Sequence, residues 1–120
     1  IYTGEDTLSL HDALPICYAM ASTPEAKMKK KVDAVLKEFG VWFFAPQSGI
    51  YGRSGIPDRI ACVDGRMVGI EVKAPGAKRG VTALQEKTMK DMMAAGASCF
   101  VVDSEETLSI LRNSLKLMVA

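Results

Sequence analysis

Residues 55–73 read GIPDRIACVDGRMVGIEVK and contain two short runs rich in branched side chains, residues 60–63 and 67–72. Asp64 and Gly65 lie between the runs, and this pair favours a tight hairpin turn because glycine accepts a positive φ. The stretch therefore predicts two antiparallel strands side by side. Pro57 favours extended backbone ahead of the first strand, so we expect Asp58 at the mouth of that strand.

The second predicted strand divides its side chains between two faces. Because side chains alternate along a strand, Glu71 and Lys73 share one face and the apolar residues of 68–72 share the other. We expect the apolar face to pack inward and the charged face to line a cleft. Cross-strand neighbours approach within about 5 Å, so Asp58 is expected to reach the same ion as Glu71.

A purely structural interpretation of these charges is also open. A Glu and a Lys two positions apart are often a solvated strand face, and an Asp after a Pro is an ordinary turn residue. The apolar neighbours instead indicate a central strand that is buried on both faces, where unpaired charges are costly. We therefore interpret Asp58, Glu71 and Lys73 as the outline of a metal-dependent phosphodiesterase site. Ligands that are all oxygens favour Mg²⁺ or Mn²⁺.

Composition is consistent with one compact domain. The chain has 120 residues, 48% of them hydrophobic, and no apolar run long enough to span a membrane. The formal net charge is +1, but residues 20–120 hold all 15 basic residues against 11 acidic ones, a net +4. This modest excess suits a polyanionic partner.

Cysteine and histidine usage excludes several kinds of site. Cys17, Cys62 and Cys99 have no CxxC spacing, and His11 is the only histidine, so no zinc site is expected. Cys62 and Cys99 lie in apolar runs and are predicted to be small core side chains. Residues 20–120 contain no histidine, which removes the usual general base and most nucleophile triads.

Residues 1–19 do not match the pattern that follows them. They contain three acidic residues, no Lys or Arg, and no basic start or continuous apolar segment of a signal peptide. Met20 suits a native start. We expect residues 1–19 to be an extraneous extension, from a misplaced reading frame or an artificial addition, and residues 20–120 to form the domain.

A helix is predicted from about residue 24 to residue 39. Ser22 or Thr23 suits its N-cap and Pro24 its first turn, and its apolar stripe consists of Met28, Val32, Val35, Leu36 and Phe39. Glu25 continues this stripe. Its carboxylate either serves the helix dipole or points into the same cleft as Asp58, and the sequence leaves both interpretations open.

The loop after the next predicted strand, residues 41–45, is rich in glycine. It spans residues 46–57 and lacks the Gly-Lys-Ser/Thr of a nucleotide-binding P-loop, so no nucleotide cofactor is expected. Its backbone, with Ser48 and Arg53, is suited to approach a phosphate chain. Lys78 and Arg79, in the later loop of residues 75–80, are further candidates for contact with nucleic acid.

The remaining elements follow in the order helix, strand, helix. A helix over residues 82–95 should turn Leu84, Thr88, Met89 and Met92 inward, with Gln85 facing the protein. A strand over residues 98–102 and a helix from Ser104 to about residue 117 complete the order αβββαβα. The sequence thus predicts an α/β (α+β) fold, in which helices cover a small mixed sheet on both faces.

This order, with Asp58 followed by Glu71-Val72-Lys73, resembles the PD-(D/E)xK nuclease superfamily. Three stretches are similar to its VRR-NUC family: residues 55–59 (GIPDR), 71–76 (EVKAPG) and 82–85 (TALQ). The resemblance runs from about residue 23 to residue 115. It implies a restriction-endonuclease-like αβββαβ core, a mixed four-stranded sheet flanked by helices.

The resemblance also implies roles for the matching residues. Asp58 and Glu71 would ligate the divalent metal, with the Val72 carbonyl as a third ligand. Lys73 would orient or deprotonate the attacking water and offset charge in the transition state. Glu25 matches a glutamate of the first helix that assists the metal site and is expected as a further metal ligand, and Gln85 matches a glutamine after the second motif.

The implied activity is that of a structure-selective endodeoxyribonuclease on branched DNA such as four-way junctions. It would act as a homodimer in the cytoplasm of a bacterium or phage-infected host, without a membrane partner. The aromatic residues of the predicted strands, Trp42, Phe43, Phe44 and Phe100, fit a core or a dimer surface better than base-stacking platforms. Two alternatives stay open: a nuclease-fold DNA-binding module without turnover, in a larger repair or replication complex, and an interaction domain without nucleic acid.

Overall fold

The structure is a computed structural model that describes residues 22–47 and 52–120. These residues form three helices and four strands, in the order α1 (Pro24–Glu38), β1 (Trp42–Phe44), β2 (Arg59–Val63), β3 (Arg66–Val72), α2 (Ala83–Ala94), β4 (Ser98–Val102) and α3 (Glu105–Val119). Each helix begins after a residue whose hydroxyl accepts a hydrogen bond from a backbone N–H of the first turn; these N-cap residues are Thr23, Thr82 and Ser104. The predicted α+β class with a small mixed sheet is confirmed.

The four strands lie in the sheet in chain order, β1-β2-β3-β4. β1 pairs antiparallel with β2, and β2 pairs antiparallel with β3, whereas β3 and β4 are parallel because α2 connects them. The predicted hairpin turn is confirmed: Val63 pairs with Arg66, and both turn residues have positive φ, 50° at Asp64 and 82° at Gly65. β3 is therefore a central strand with a neighbour on each side.

Helices cover both faces of the sheet. On one face, α1 and α3 form the main core with the strands; its buried members are Met28, Val32, Val35, Leu36, Ala61, Val63, Val68, Ile70, Val72, Val102, Leu108, Leu111 and Leu115. α2 covers part of the other face. A Cβ on Gly69 of β3 would lie 2.9 Å from Met92 Cε and 3.0 Å from Pro57 Cγ, so glycine lets the helix and the loop lie directly on the strand.

Two side chains predicted to be inward are not. Leu84 is half exposed because it lies in the first turn of α2, against the Gly55 loop rather than over the sheet. Cys62 is exposed because α2 packs mainly on β4 and covers little of β2. Cys99, nearer to α2, is partly buried, as are Phe43 and Phe100, which pack against the main core.

The prediction for residues 1–19 lies outside the described residues. Among the helices that the structure describes, none combines the length and the apolar character needed to cross a membrane.

Candidate functional site

The candidate site lies where β2 and β3 separate. Their ladder ends at the pair Arg59 and Ile70, because β2 begins at Arg59. The backbone N–H of Val72 consequently lacks a main-chain partner from β2, and it donates to Asp58 Oδ2 at 2.8 Å instead. The Asp58 carboxylate thus takes the place of a strand and is held beside the end of β3.

Glu71 is the most buried charged side chain of the described residues, only 2% exposed. Its Oε2 accepts a hydrogen bond from Gln85 Nε2 at 2.7 Å and lies 3.3 Å from Lys73 Nζ. Its Oε1 is also buried but has no hydrogen-bond partner in the described part of the chain. A buried acceptor without a partner carries a desolvation cost of about 1–3 kcal/mol, more when it is charged. Oε1 is therefore the position in the site that a cation would satisfy.

The electrostatics of Glu71 point the same way. Burial raises the pKa of Glu71 above its ordinary range, and the negative charge of Asp58 raises it further. Lys73 opposes both effects by stabilising the ionised form. A cation placed between the two carboxylates would lower the pKa of Glu71, since it would stabilise both negative charges.

Gln85 is oriented by the way α2 begins. The side-chain oxygen Oε1 of Gln85 accepts a hydrogen bond from the Thr82 backbone N–H at 2.9 Å. The backbone N–H of Gln85 donates to Thr82 Oγ1 at 3.1 Å, and the two bonds together form a capping box. Because the oxygen of the amide is occupied at the helix end, the NH₂ group is the part that faces Glu71. The sequence prediction that Gln85 faces the protein is confirmed.

α1 presents three charged residues, Glu25, Lys29 and Asp33, to the start of β2. They are four residues apart, so they share one side of the helix. Lys29 Nζ lies 3.3 Å from Glu25 Oε2 and 3.6 Å from Asp58 Oδ1. Glu25 is thereby on the Asp58 side of α1, in the first helical turn, and an ammonium connects the two carboxylates.

Arg59 fixes the backbone next to Asp58. Its guanidinium donates to both carboxylate oxygens of Asp33, at 2.6 and 3.1 Å, and to the Asp58 carbonyl at 2.9 Å. Such a bidentate pair defines direction as well as distance. The fork ties the start of β2 to α1 and limits where the Asp58 side chain can lie.

The donor set fits a hard divalent cation through two carboxylates rather than a larger cage. Among the described residues, no group of three or more His, Cys, Asp or Glu side chains is arranged to hold a metal. Asp58 and Glu71 remain as a pair, and Mg²⁺ is commonly held by one or two carboxylates with waters and substrate phosphates as its other ligands. The unpartnered, buried Glu71 Oε1 is the observation that favours such an ion.

The predicted nucleic-acid contacts that the structure describes do not form one group, since Arg53 and Arg79 line different pockets. Arg53, Lys78 and Arg79 are exposed, and Ser48 lies outside the described residues. Arg79 lines a pocket of about 190 Å³ together with Lys73, next to the candidate site. Arg53 instead lines a larger and mostly apolar cavity of about 1000 Å³ between α2 and the hairpin. Neither Asp58 nor Glu71 lines the larger cavity, so that cavity is not part of the candidate site.

Sequence reasoning missed Lys29, Asp33 and Arg59. The four-residue spacing from Glu25 to Lys29 to Asp33 was a detectable signal for one charged stripe. Arg59 follows Asp58 directly, but nothing in the sequence indicates that its partner is on α1.

A scan of the chain against models of protein families gives no match, and a search among curated proteins gives none either.

Proposed function

We propose that this protein is a divalent-metal-dependent endodeoxyribonuclease of the restriction-endonuclease-like type, with Mg²⁺ or Mn²⁺ as its cofactor. The observation that carries the proposal is the buried Glu71 Oε1, which lacks a partner among the described residues and lies beside a second carboxylate and a lysine. A buried carboxylate oxygen without a partner is costly in a structural role, but it is expected of a ligand without its ion.

Each side chain of the site has a definite task in this proposal. Asp58 and Glu71 would hold the ion, with the Val72 carbonyl as the expected third protein ligand. Gln85 fixes the Glu71 carboxylate through Oε2 and leaves Oε1 for the ion. When bound, the ion would supply a Lewis acid that stabilises negative charge on the phosphate. Lys73 would orient or deprotonate the attacking water and offset the same charge.

DNA as the substrate is supported by charge. The net +4 of residues 20–120 and the exposed Lys78 and Arg79 favour a polyanion. Arg79 shares its pocket with Lys73, so a backbone phosphate in that pocket would lie next to the reacting groups. Asp103 also lines the pocket and makes it less cationic than the two basic residues alone would.

A homodimer acting on branched DNA is the finer part of the proposal. Trp42 and Phe44 are exposed on β1, at the edge of the sheet, with Trp42 66% exposed and the two rings 5.7 Å apart. Exposed aromatic side chains on the outer strand of the described sheet favour self-association. Sedimentation should then give a dimer for the wild type and a monomer for Trp42→Ser. A monomeric wild type would remove the dimer from the proposal.

Cleavage assays decide the proposal. Four-way junction, flap, splayed-arm and linear duplex DNA are incubated with Mg²⁺, with Mn²⁺ and with chelator, using the wild type and Glu71→Gln. We expect junction cleavage by the wild type with either metal and a loss of at least 100-fold in Glu71→Gln. The exposed Glu106→Gln is the matched control and should cleave normally. Undiminished cleavage by Glu71→Gln would refute the assignment of the site.

A DNA-binding module that keeps the fold without turnover is the second candidate. It is favoured by the small ligand set, since the described residues contain no group of three or more ligating side chains. The same substrates separate the two functions. Salt-sensitive binding of DNA without cleavage under any metal condition supports the module, whereas failure to bind DNA at any salt concentration supports an interaction domain.

A further inference from the structure

The Lys29 ammonium lies between the Glu25 and Asp58 carboxylates, on the α1 side of the candidate site. Its ammonium lies 3.3 Å from Glu25 Oε2 and 3.6 Å from Asp58 Oδ1. Glu25 precedes it by one helical turn, the favourable direction for such a pair. Lys29 is therefore a cation already present at the carboxylates of the candidate site.

The two oxygens of Asp58 have different surroundings. Oδ2 is held by the Val72 N–H, and Oδ1 faces Lys29. A divalent ion that binds Asp58 together with Glu71 must approach a carboxylate that already has an ammonium next to it. Positive charges at such short separations repel each other, so the ion and the Lys29 ammonium compete for Asp58.

Glu25 offers the ammonium a second position. Glu25 is the nearer of the two carboxylates, and its side chain is more exposed than that of Asp58, 43% against 24%. The flexible four-carbon stem of lysine allows its charge to move by a few ångströms without backbone movement. Lys29 can thus leave Asp58 and remain paired with Glu25.

We propose that Lys29 is a displaceable counter-ion of the metal site, which pairs with Asp58 in the metal-free protein and retreats to Glu25 when the divalent ion binds. Glu25 then acts on the metal site through Lys29 and is not itself a ligand. The inference rests on the proposed function, since it requires that Asp58 and Glu71 bind a divalent ion. It assigns Lys29 and Glu25 as positioning residues.

The first test is a calorimetric titration with Mn²⁺ in the absence of DNA. Lys29→Gln removes the competing charge, so it should bind Mn²⁺ about fivefold more tightly than the wild type, the upper end for one partly exposed charge pair. Lys30→Gln is the control, because it removes the same charge from an exposed position one residue away. Lys29→Met, which keeps the aliphatic stem, is the second variant if Lys29→Gln does not fold.

A double-mutant cycle then separates the two roles of Glu25. Glu25→Gln removes the alternative position of the ammonium, so it should weaken Mn²⁺ binding in the wild-type background. In the Lys29→Gln background there is no ammonium to hold, and Glu25→Gln should leave the affinity unchanged. A direct ligand would instead weaken Mn²⁺ binding equally in both backgrounds.

The possible results of these titrations either support the inference or overturn it. Tighter binding by Lys29→Gln, together with an effect of Glu25→Gln that requires Lys29, supports the inference. Equal affinities of Lys29→Gln and Lys30→Gln overturn it, and so does equal weakening by Glu25→Gln in both backgrounds. In those two cases, loss of Mn²⁺ binding in Glu71→Ala leaves the proposed function standing. Absence of Mn²⁺ binding by the wild type and all variants overturns both the inference and the proposed metal site.

Discussion

Asp58 combines a structural contact with a chemical role, and two substitutions separate them. Asp58→Asn keeps an oxygen that can accept from the Val72 N–H, whereas Asp58→Ala removes the acceptor as well as the charge. We expect both variants to lose metal-dependent cleavage by about 100-fold or more. Only Asp58→Ala should also lose stability, about 1 kcal/mol of unfolding free energy in urea denaturation.

Comparing the stabilities of Asp58→Asn and Asp58→Ala tests the hydrogen bond to Val72. If Asp58→Asn unfolds as easily as Asp58→Ala, the hydrogen bond to Val72 does not hold the end of β3. Normal cleavage by Asp58→Asn would show that the charge of Asp58 is not needed for the reaction.

Glu71 should make the metal-free protein less stable as the pH rises. Burial raises its pKa in the folded protein above the ordinary value of 4.5. At pH values between 4.5 and the raised pKa of Glu71 in the folded protein, the folded state binds more protons than the unfolded chain. The free energy of unfolding therefore falls as the pH rises through this window. Below about pH 4.5 the protonated side chain carries no such penalty.

The measurement compares Glu71→Gln with the wild type in urea unfolding, in chelator, from pH 4 to pH 8. The stability of Glu71→Gln relative to the wild type should increase with pH and level off on the order of 1 kcal/mol above the low-pH difference. The exposed Glu106→Gln is the matched control. A difference that is constant with pH would contradict a raised pKa of Glu71.

At the scale of elements, the loop before β2 depends on its contact with α2. Gly55 has a φ of 79°, and a Cβ there would lie 2.7 Å from Leu84 Cγ and 3.2 Å from the Leu84 carbonyl oxygen. Gly76 has a similar φ of 71° but open space around it. Gly55→Ala therefore adds a steric clash to the backbone strain that both substitutions share.

Thermal unfolding tests this difference. We expect Gly55→Ala to lose about 1–2 kcal/mol more than Gly76→Ala. Gly55→Ala should also weaken Mn²⁺ binding, since Asp58 follows this loop. Equal stabilities of the two variants would mean that the contact between the loop and α2 is loose.

The sequence predicted the elements well because each has a local cause. The Asp64-Gly65 turn sets the register of the hairpin, and the hydroxyl caps mark the helix starts. The orientation of Gln85 follows from its position on the partly buried side of α2. These signals are contained within short segments, so no knowledge of distant contacts is needed.

The sequence did not predict how far α2 extends over the sheet or which side of α1 faces Asp58. Exposure of Leu84 and Cys62 depends on the first of these, and the contacts of Lys29 and Asp33 depend on the second. Both are set by packing between elements far apart in the chain. Periodicity defines the face of a helix, but it does not identify which residues that face meets.

At the scale of the whole molecule, the distribution of basic residues matters more than the net charge. Lys78 and Arg79 are exposed in the loop after β3, and Arg79 is in the pocket shared with Lys73. Lys87 and Lys90, on the exposed side of α2, are each paired with an acidic side chain one turn away. DNA bound at the candidate site should therefore contact Lys78 and Arg79. Lys87 and Lys90 should contribute little to DNA binding.

Salt dependence of DNA binding tests this distribution. Each phosphate contact contributes about 0.9 to the slope of log affinity against log salt concentration, so Lys78→Gln with Arg79→Gln should reduce the slope by about 1.8. Lys87→Gln with Lys90→Gln removes the same charge and should leave the slope nearly unchanged. The affinity is measured by fluorescence anisotropy between 50 and 200 mM salt, with chelator present to prevent cleavage. Equal slopes for the two double variants would mean that DNA responds to overall charge and does not bind along the loop after β3.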